Sequence, residues 1–486
     1  MKAASKGLLL ATFIIGVLGY NQNTLAQTAS TPSTACFVDG ISDRVRCGDI
    51  DVPENYQLPN GKLINIHYVV LPAQSRAKQA DPLLILAGGP GQAATELAPM
   101  INRIFAAIRR DRDIVLIDQR GTGQSHPLRC DIDRPDELTR SDENQQLDQI
   151  ARACLAQYPD TDMLQYHTVN AVRDFERVRQ HLGIAQWNLY GGSYGTRVGL
   201  TYLREAPEAV RTATLDSVAP NQVVIGPFGR HGADSFRLLL EDCRASSDCR
   251  ERFPHLAETY QRLMDELALA PVPVVVKDPQ TNQAEDLLVT ANRFSSIARM
   301  ALYSPFTRQM LPYMIDQTAQ GNYQPLVGLM GSNRKQNPMY VGLTLSVLCS
   351  EDMARASQPL LQEDGNNGFI GSRTADAFIE LCSEWPVQMI DASWSAPVSS
   401  DKPVLLLAGR WDPVTPPAWA ELAAQTLTHS KVLVAKYGAH TIVTHTCANE
   451  IVADFIAAGE LSAVSGECLQ EGYIPAFITN SNGAGL

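Results

Sequence analysis

The stretch Trp187-Asn188-Leu189-Tyr190-Gly191-Gly192-Ser193-Tyr194-Gly195 decides how the chain is read. Trp187 to Tyr190 is a short apolar run suited to a buried strand, and a helical stretch follows the glycines as far as Leu203. Between them stands Gly191-x-Ser193-x-Gly195. Small residues on either side of a serine let the backbone turn sharply from strand to helix, so that the hydroxyl stands at the tip and the helix amino-terminus faces a developing negative charge. A β-carbon at either glycine position would crowd the neighbouring strand or helix. The pattern predicts Ser193 as a nucleophile, with the Tyr194 N–H beside it as one donor to an oxyanion.

Working outward, the same alternation recurs. Ile64 to Leu71 and Leu83 to Leu86 read as strands, the second entering the turn Ala87-Gly88-Gly89-Pro90-Gly91. Ile114 to Ile117 is another short run, broken by Asp118-Gln119-Arg120-Gly121-Thr122-Gly123. Ala171, Val172, Phe175, Val178 and Leu182 recur at helical spacing before Gly183. Further strands are expected at Val210 to Leu215, Val404 to Ala408 and Val432 to Ala435, with a closing helix near Asn449 to Ala458. Strands that alternate with helices predict an α/β fold with a mostly parallel sheet flanked by helices. From about Asn221 to Ser400 amphipathic helices dominate, as in Phe236 to Leu240, Leu256 to Leu269, Ile297 to Tyr303 and Ala375 to Leu381. The expected organisation is a core in two parts, 27–220 and 401–486, with a large inserted helical cap over 221–400. The last residues, Thr479 to Leu486, read as loose.

A serine at its free pKa is a weak nucleophile, so it needs a base, and the base needs an orienting carboxylate. Asp412 fits the carboxylate, because Gly409-Arg410-Trp411-Asp412-Pro413-Val414-Thr415-Pro416 directly follows a strand. His440 fits the base, in Tyr437-Gly438-Ala439-His440 after the next strand. Both would lie at strand carboxyl ends, where an open α/β sheet collects its site. Asp216 is an alternative acid and His445 an alternative base, while Asp118 is expected to order its own turn with Arg120. The second oxyanion donor is expected from the glycine turn, and since Pro90 has no N–H, Gly89 is the choice. Because His440 must be neutral to act, activity should rise through an apparent pKa of about 6 to 7.

Charge and cysteines bound the partners and the compartment. With 40 Lys+Arg against 52 Asp+Glu and no basic run, the chain offers no electrostatic footprint for nucleic acid or an anionic membrane. Residues 1–26 read as an export signal: Lys2 and Lys6, an apolar run from Gly7 to Leu18, then Thr24-Leu25-Ala26 as the cleavage site. The run is shorter than the roughly 20 residues that span a bilayer, so no stable membrane anchor is expected and the mature chain should be periplasmic or secreted. All ten cysteines follow it: Cys36, Cys47, Cys130, Cys154, Cys243, Cys249, Cys349, Cys382, Cys447 and Cys468. An even count in an exported chain favours disulfides, sequential neighbours being the simplest pairing. There is no CxxC pair and no HExxH, so no metal is expected, and no cofactor is required.

These motifs, together with Asp118-Gln119-Arg120-Gly121-Thr122-Gly123-Gln124-Ser125, resemble the proline iminopeptidase family of α/β-hydrolases, and most closely its exported tripeptidyl aminopeptidase-like branch. The resemblance covers roughly 60 to 220 and 400 to 460, and reaches the cap mainly through Cys349-Ser350-Glu351-Asp352. One departure is visible: the family's glycine turn usually opens with His, and here that position is Ala87. The resemblance implies a serine aminopeptidase that releases an amino acid or a di- or tripeptide unit from the free amino-terminus of small peptides through an acyl-enzyme. A carboxylesterase or other small-ester hydrolase of the same fold is the alternative. It also implies acidic cap residues that hold the substrate ammonium, for which Glu351 and Asp352 are the candidates.

Overall fold

The computed structural model describes residues 33–484 apart from 131–137, 144–145, 335–338, 388–389 and 473. The export signal expected over 1–26 lies outside the described residues. In chain order the strands are β1 (Thr34–Cys36), β2 (Val45–Pro53), β3 (Leu63–Leu71), β4 (Leu83–Leu86), β5 (Ile114–Ile117), β6 (Trp187–Gly192), β7 (Val210–Asp216), β8 (Val272–Lys277), β9 (Ala284–Val289), β10 (Val404–Gly409), β11 (Ser430–Ala435), β12 (Ile478–Asn480) and β13 (Gly483–Ala484). Nine of them form one sheet in the order β1-β2-β3-β5-β4-β6-β7-β10-β11. The pairs from β1 to β5 across β3 are antiparallel, and those from β5 to β11 are parallel.

The apolar runs are continuous because the central strands are covered on both faces. Leu84, Leu86, Leu189, Leu215 and Leu406 point into one core cluster, while Leu83, Ile85, Tyr190, Leu405 and Leu407 point into the other. Successive residues thus serve opposite layers, as the period of two in a strand requires. β1 and β2 were not expected from the sequence. Val45-Arg46-Cys47-Gly48-Asp49-Ile50-Asp51-Val52-Pro53 keeps only Val45 and Val52 buried, so a strand near the sheet edge with polar positions gives little apolar signal.

The cap has its own core, in which Phe236, Tyr260 and Phe369 stack with ring centroids 4.6 to 5.4 Å apart and Phe294 closes the group. Three corrections to the expected organisation follow. The cap is not wholly helical, since β8 and β9 form an antiparallel hairpin within it. The segment around Leu138 to Glu143, expected in the core, binds the cap through Leu288 N–H to Leu138 O (2.8 Å) and Asn292 N–H to Glu143 Oε1 (2.8 Å). The tail does the same: Phe477 joins the cap cluster, Ile478 N–H binds Gln309 O at 3.1 Å, and β12 pairs with β13 rather than staying loose.

The five disulfides join sequence neighbours, Cys36–Cys47, Cys130–Cys154, Cys243–Cys249, Cys349–Cys382 and Cys447–Cys468. Among the described residues none is left free. No helix of the described residues is long and apolar enough to cross a membrane, and none of their side-chain groups clusters as a metal site.

Candidate active site

β6 ends at Gly192 and the helix Tyr194–Glu205 begins two residues later, with Ser193 between them at φ 56° and ψ −123°. That left-handed φ is costly for a residue with a side chain and is held by its surroundings. An ideal Cβ on Gly191 would lie 2.3 Å from Gly195 O, and one on Gly195 would lie 2.1 Å from Leu86 O of β4. Only glycine fits either position. Ser193 N–H binds Asp216 O at 2.9 Å, which ties the turn to the end of β7. Ser193 is half-buried, whereas Tyr194 behind it is buried.

The glycine turn after β4 lies against this elbow. A Cβ on Gly88 would sit 3.5 Å from the Ser193 Cβ, and one on Gly89, at φ +108°, would sit 2.8 Å from Met339 Cε of the cap. The cap closes on the turn through Thr344 Oγ1, which donates to Pro90 O at 2.7 Å, and Tyr340 N–H, which binds Gly91 O at 2.9 Å.

Asp412 and His440 meet as expected. His440 Nδ1 is 2.8 Å from Asp412 Oδ2. The remaining lone pairs of Asp412 accept Val414 N–H (2.9 Å), Thr415 N–H (2.8 Å) and Thr415 Oγ1–H (2.7 Å). These donors suit a buried carboxylate that must stay charged: burial alone would raise its pKa, but the His440 charge and hydrogen bond, with Thr415, hold Asp412 below the ordinary carboxylate value. Burial likewise disfavours a charged imidazole, yet Asp412 and then Asp216 outweigh it and raise the His440 pKa above 6.5, with Arg299 pulling the other way. The acid limb of activity is therefore expected above the ordinary histidine value. Thr415 was missed in the sequence, although an Asp followed three residues on by Thr is a local turn signal.

The two alternatives take supporting positions. Asp216 does not reach the imidazole pair; it accepts Ile442 N–H (3.0 Å), Val443 N–H (3.1 Å) and the Tyr190 hydroxyl (3.1 Å), and so fixes the segment after His440. Burial raises its pKa to about 6. Thr441 N–H binds Ser217 Oγ at 2.7 Å, so both sides of the site hang from the end of β7. His445 lies before the closing helix, where its Nε2 accepts Ala439 N–H at 3.1 Å. Burial lowers its pKa to about 4, which keeps that nitrogen an acceptor. Asp118 orders its own turn through Thr95 N–H, Thr95 Oγ1 and Gln124 N–H, whereas Arg120 pairs with Asp174 instead.

Glu351 and Asp352 are brought to the elbow, but not as open anchors for a substrate ammonium. Asp352 is fully buried and accepts two hydrogen bonds from Arg197 Nη1 (2.8 Å each) and one from Ile225 N–H (2.8 Å). Glu351 is also fully buried, with Oε1 on Thr168 N–H (2.7 Å) and Oε2 on Thr168 Oγ1 (2.8 Å). The Thr168 hydroxyl in turn meets the Tyr194 hydroxyl at 2.7 Å. Both acids are spent on the chain's own donors, which fasten the cap helix Val341–Glu351 to the elbow helix and to the helix Thr168–His181. Cys349–Cys382 holds the same cap segment.

Comparison with known proteins gives a consistent picture. Residues 81–445 match the family described as alpha/beta hydrolase fold. The serine protease Hip1 of Mycobacterium tuberculosis is 26% identical over 458 residues, covering 87% of this chain and 87% of that protein. A probable proline iminopeptidase of Streptomyces coelicolor is 36% identical over 140 residues, covering 28% of this chain and 33% of its own length. The tripeptidyl aminopeptidase of Streptomyces lividans is 29% identical over 201 residues, or 38% of this chain and 37% of that one.

Proposed function

The chain belongs to the α/β-hydrolase family and is a serine hydrolase of its peptidase branch; from that premise we propose that it is an exported aminopeptidase acting on small peptides. The observation that carries the chemistry is the Asp412–His440 pair, suspended from the same strand end as the Ser193 elbow. Ser193 Oγ attacks the scissile carbonyl while His440 Nε2 takes its proton, and Asp412 orients the imidazole and stabilises the imidazolium. The oxyanion is held by the N–H groups of Tyr194 and Gly89. His440 then returns the proton to the leaving amine, and water releases the acyl unit by the same route. The names of the partial relatives support a free amino-terminus and release of one to three residues. The pattern of residues 1–26 and the five disulfides support export.

The test is hydrolysis of chromogenic aminoacyl, dipeptidyl and tripeptidyl amides, each with a free and an acetylated amino-terminus, beside a short-chain ester. Cleavage confined to free-amine substrates is expected, and the best length sizes the capped site. Equal use of blocked substrates, or cleavage of the ester alone, would replace this reading with a small-ester hydrolase. Ser193→Ala should lower kcat by roughly 10⁶ with the fold retained, the scale on which a triad acts as a unit. Near-normal turnover in that variant would refute the assignment of the nucleophile.

A further inference from the structure

Arg299 stands at the end of the cap helix Ala291–Ala301, half-buried, with its guanidinium over the rings of Phe228 and Tyr303 at 5.6 Å from each centroid. Tyr303 connects it to the base: its ring meets the His440 ring edge-on at 5.1 Å, and its carbonyl accepts His440 N–H at 3.2 Å. Arg299 Nη1 donates to the Tyr303 hydroxyl at 2.9 Å, and Nη2 points at the weak acceptor Met300 Sδ at 3.6 Å. Among the described residues no carboxylate lies within ion-pair distance of it, in contrast to the buried Arg120, Arg197 and Arg308. A guanidinium drawn partly out of water between two rings has donors to spare and no counter-charge, which is a site for an anion.

Position decides which anion. His440 delivers its proton to the leaving nitrogen, so groups packed beside His440 face the departing half of the substrate. When that half is a single amino acid, its carboxylate is one Cα away from the nitrogen. Each added residue moves it about 3.3–3.6 Å further off. We propose that Arg299 is a specificity residue that receives the carboxylate of the leaving amino acid, so that the enzyme favours short peptides cut next to their free carboxyl-terminus. This deepens the aminopeptidase reading and rests on it. An acidic side chain on the leaving residue offers the same chemistry at nearly the same place.

The experiment uses the full chain and one best acyl unit joined to Ala, to Ala amide, to Ala-Ala and to Asp amide. Wild type is expected to prefer the free acid over the amide by about tenfold in kcat/KM, the scale of one charge-assisted hydrogen bond, and Ala over Ala-Ala. In Arg299→Gln that acid-to-amide ratio should fall to near one, and Arg299→Lys should restore part of it. A preference for Asp amide alone, lost in Arg299→Gln, assigns the carboxylate to the side chain. A wild-type ratio near one, or an equal loss on acid and amide in Arg299→Gln, overturns the proposal. A second readout separates a site role from a structural one. His440 is faced by Asp412, Asp216, Arg299 and His445, and removing the cation among them should move the acid limb of kcat/KM to higher pH. If no peptide is cleaved, the aminopeptidase reading fails by itself; the same acid and amide comparison on glycolate and glycolamide esters then still tests Arg299.

Discussion

Two Arg–Asp pairs are withdrawn completely from solvent, Arg120–Asp174 in the core and Arg197–Asp352 between core and cap. Arg120 meets its partner side-on, Nε to Oδ2 and Nη2 to Oδ1 at 2.7 Å each, and gives its other donors to Glu54 O, Gln165 O and Pro53 O. All of its N–H groups are used, and Tyr56 adds a hydrogen bond to Asp174. Arg197 instead gives both Nη1 protons to Asp352 and both Nη2 protons to Pro220 O and Val223 O, leaving Nε without a partner. The first pair closes a saturated knot within the core, between the end of β2 and the helix Thr168–His181. The second is one turn along the helix from Ser193 and reaches 155 residues to the cap. It sets where the cap sits over the nucleophile, so the two pairs separate stability of the fold from geometry of the site.

The largest effects come from breaking the pairs. Asp174→Ala and Asp352→Ala each strand a buried guanidinium, at a cost of about 3–5 kcal/mol, with Asp174→Ala at the upper end. Urea denaturation reads the stability, and kcat/KM per folded molecule reads the site; only Asp352→Ala should lower the latter. Replacing each pair by apolar residues sharpens the contrast, because such swaps often recover stability. Arg120→Met/Asp174→Leu should regain both stability and turnover, whereas Arg197→Met/Asp352→Leu should regain stability alone. Full activity in the second double variant would show that the cap position does not depend on its pair.

A smaller effect tests the carboxylate that supports His440 from below. Removing the Asp216 charge in Asp216→Asn should move the acid limb of kcat/KM to lower pH by up to about one unit, since Asp216 helps to raise the His440 pKa. An unmoved limb would mean that Asp216 acts only through its hydrogen bonds to Ile442 and Val443.

The smallest concerns Glu351, the chain neighbour of Asp352. Burial raises its pKa to about 7, from 4.5. A carboxyl with a raised folded-state pKa binds its proton on folding, so its contribution is full below pH 4.5 and is lost as pH rises through about 7. Glu351→Gln, which mimics the protonated form, should match wild type in unfolding free energy near pH 5 and exceed it at pH 8 by on the order of 1 kcal/mol. A parallel pH dependence in both proteins would contradict that assignment.

Legibility in the sequence followed locality. The Leu83–Leu86 and Ile114–Ile117 strands coincide with their apolar runs, because burial on both faces leaves no polar position to blur the ends. The elbow was legible for a similar reason, since its two glycines answer contacts of 2.1 and 2.3 Å that no other residue survives. The roles of Glu351 and Asp352 were not. An acidic pair in a cap reads as a receptor for an amine until Thr168 and Arg197, from distant elements, are seen to occupy it. Arg299 carried no motif at all, and its setting depends on Phe228 and Tyr303 closing around it.

The residues alone made legible the strand and helix alternation and the order of Ser193, Asp412 and His440, whereas the pairing of neighbouring cysteines was one simple choice that the structure settles. These rest on periodicity, turn chemistry and short loops, whose physical causes act over a few residues. Only the tertiary structure decided which of the buried charges face the substrate and which are spent inside the chain. A charge is committed by its nearest partner in space, and here partners such as Val443 for Asp216 lie 227 residues away along the chain.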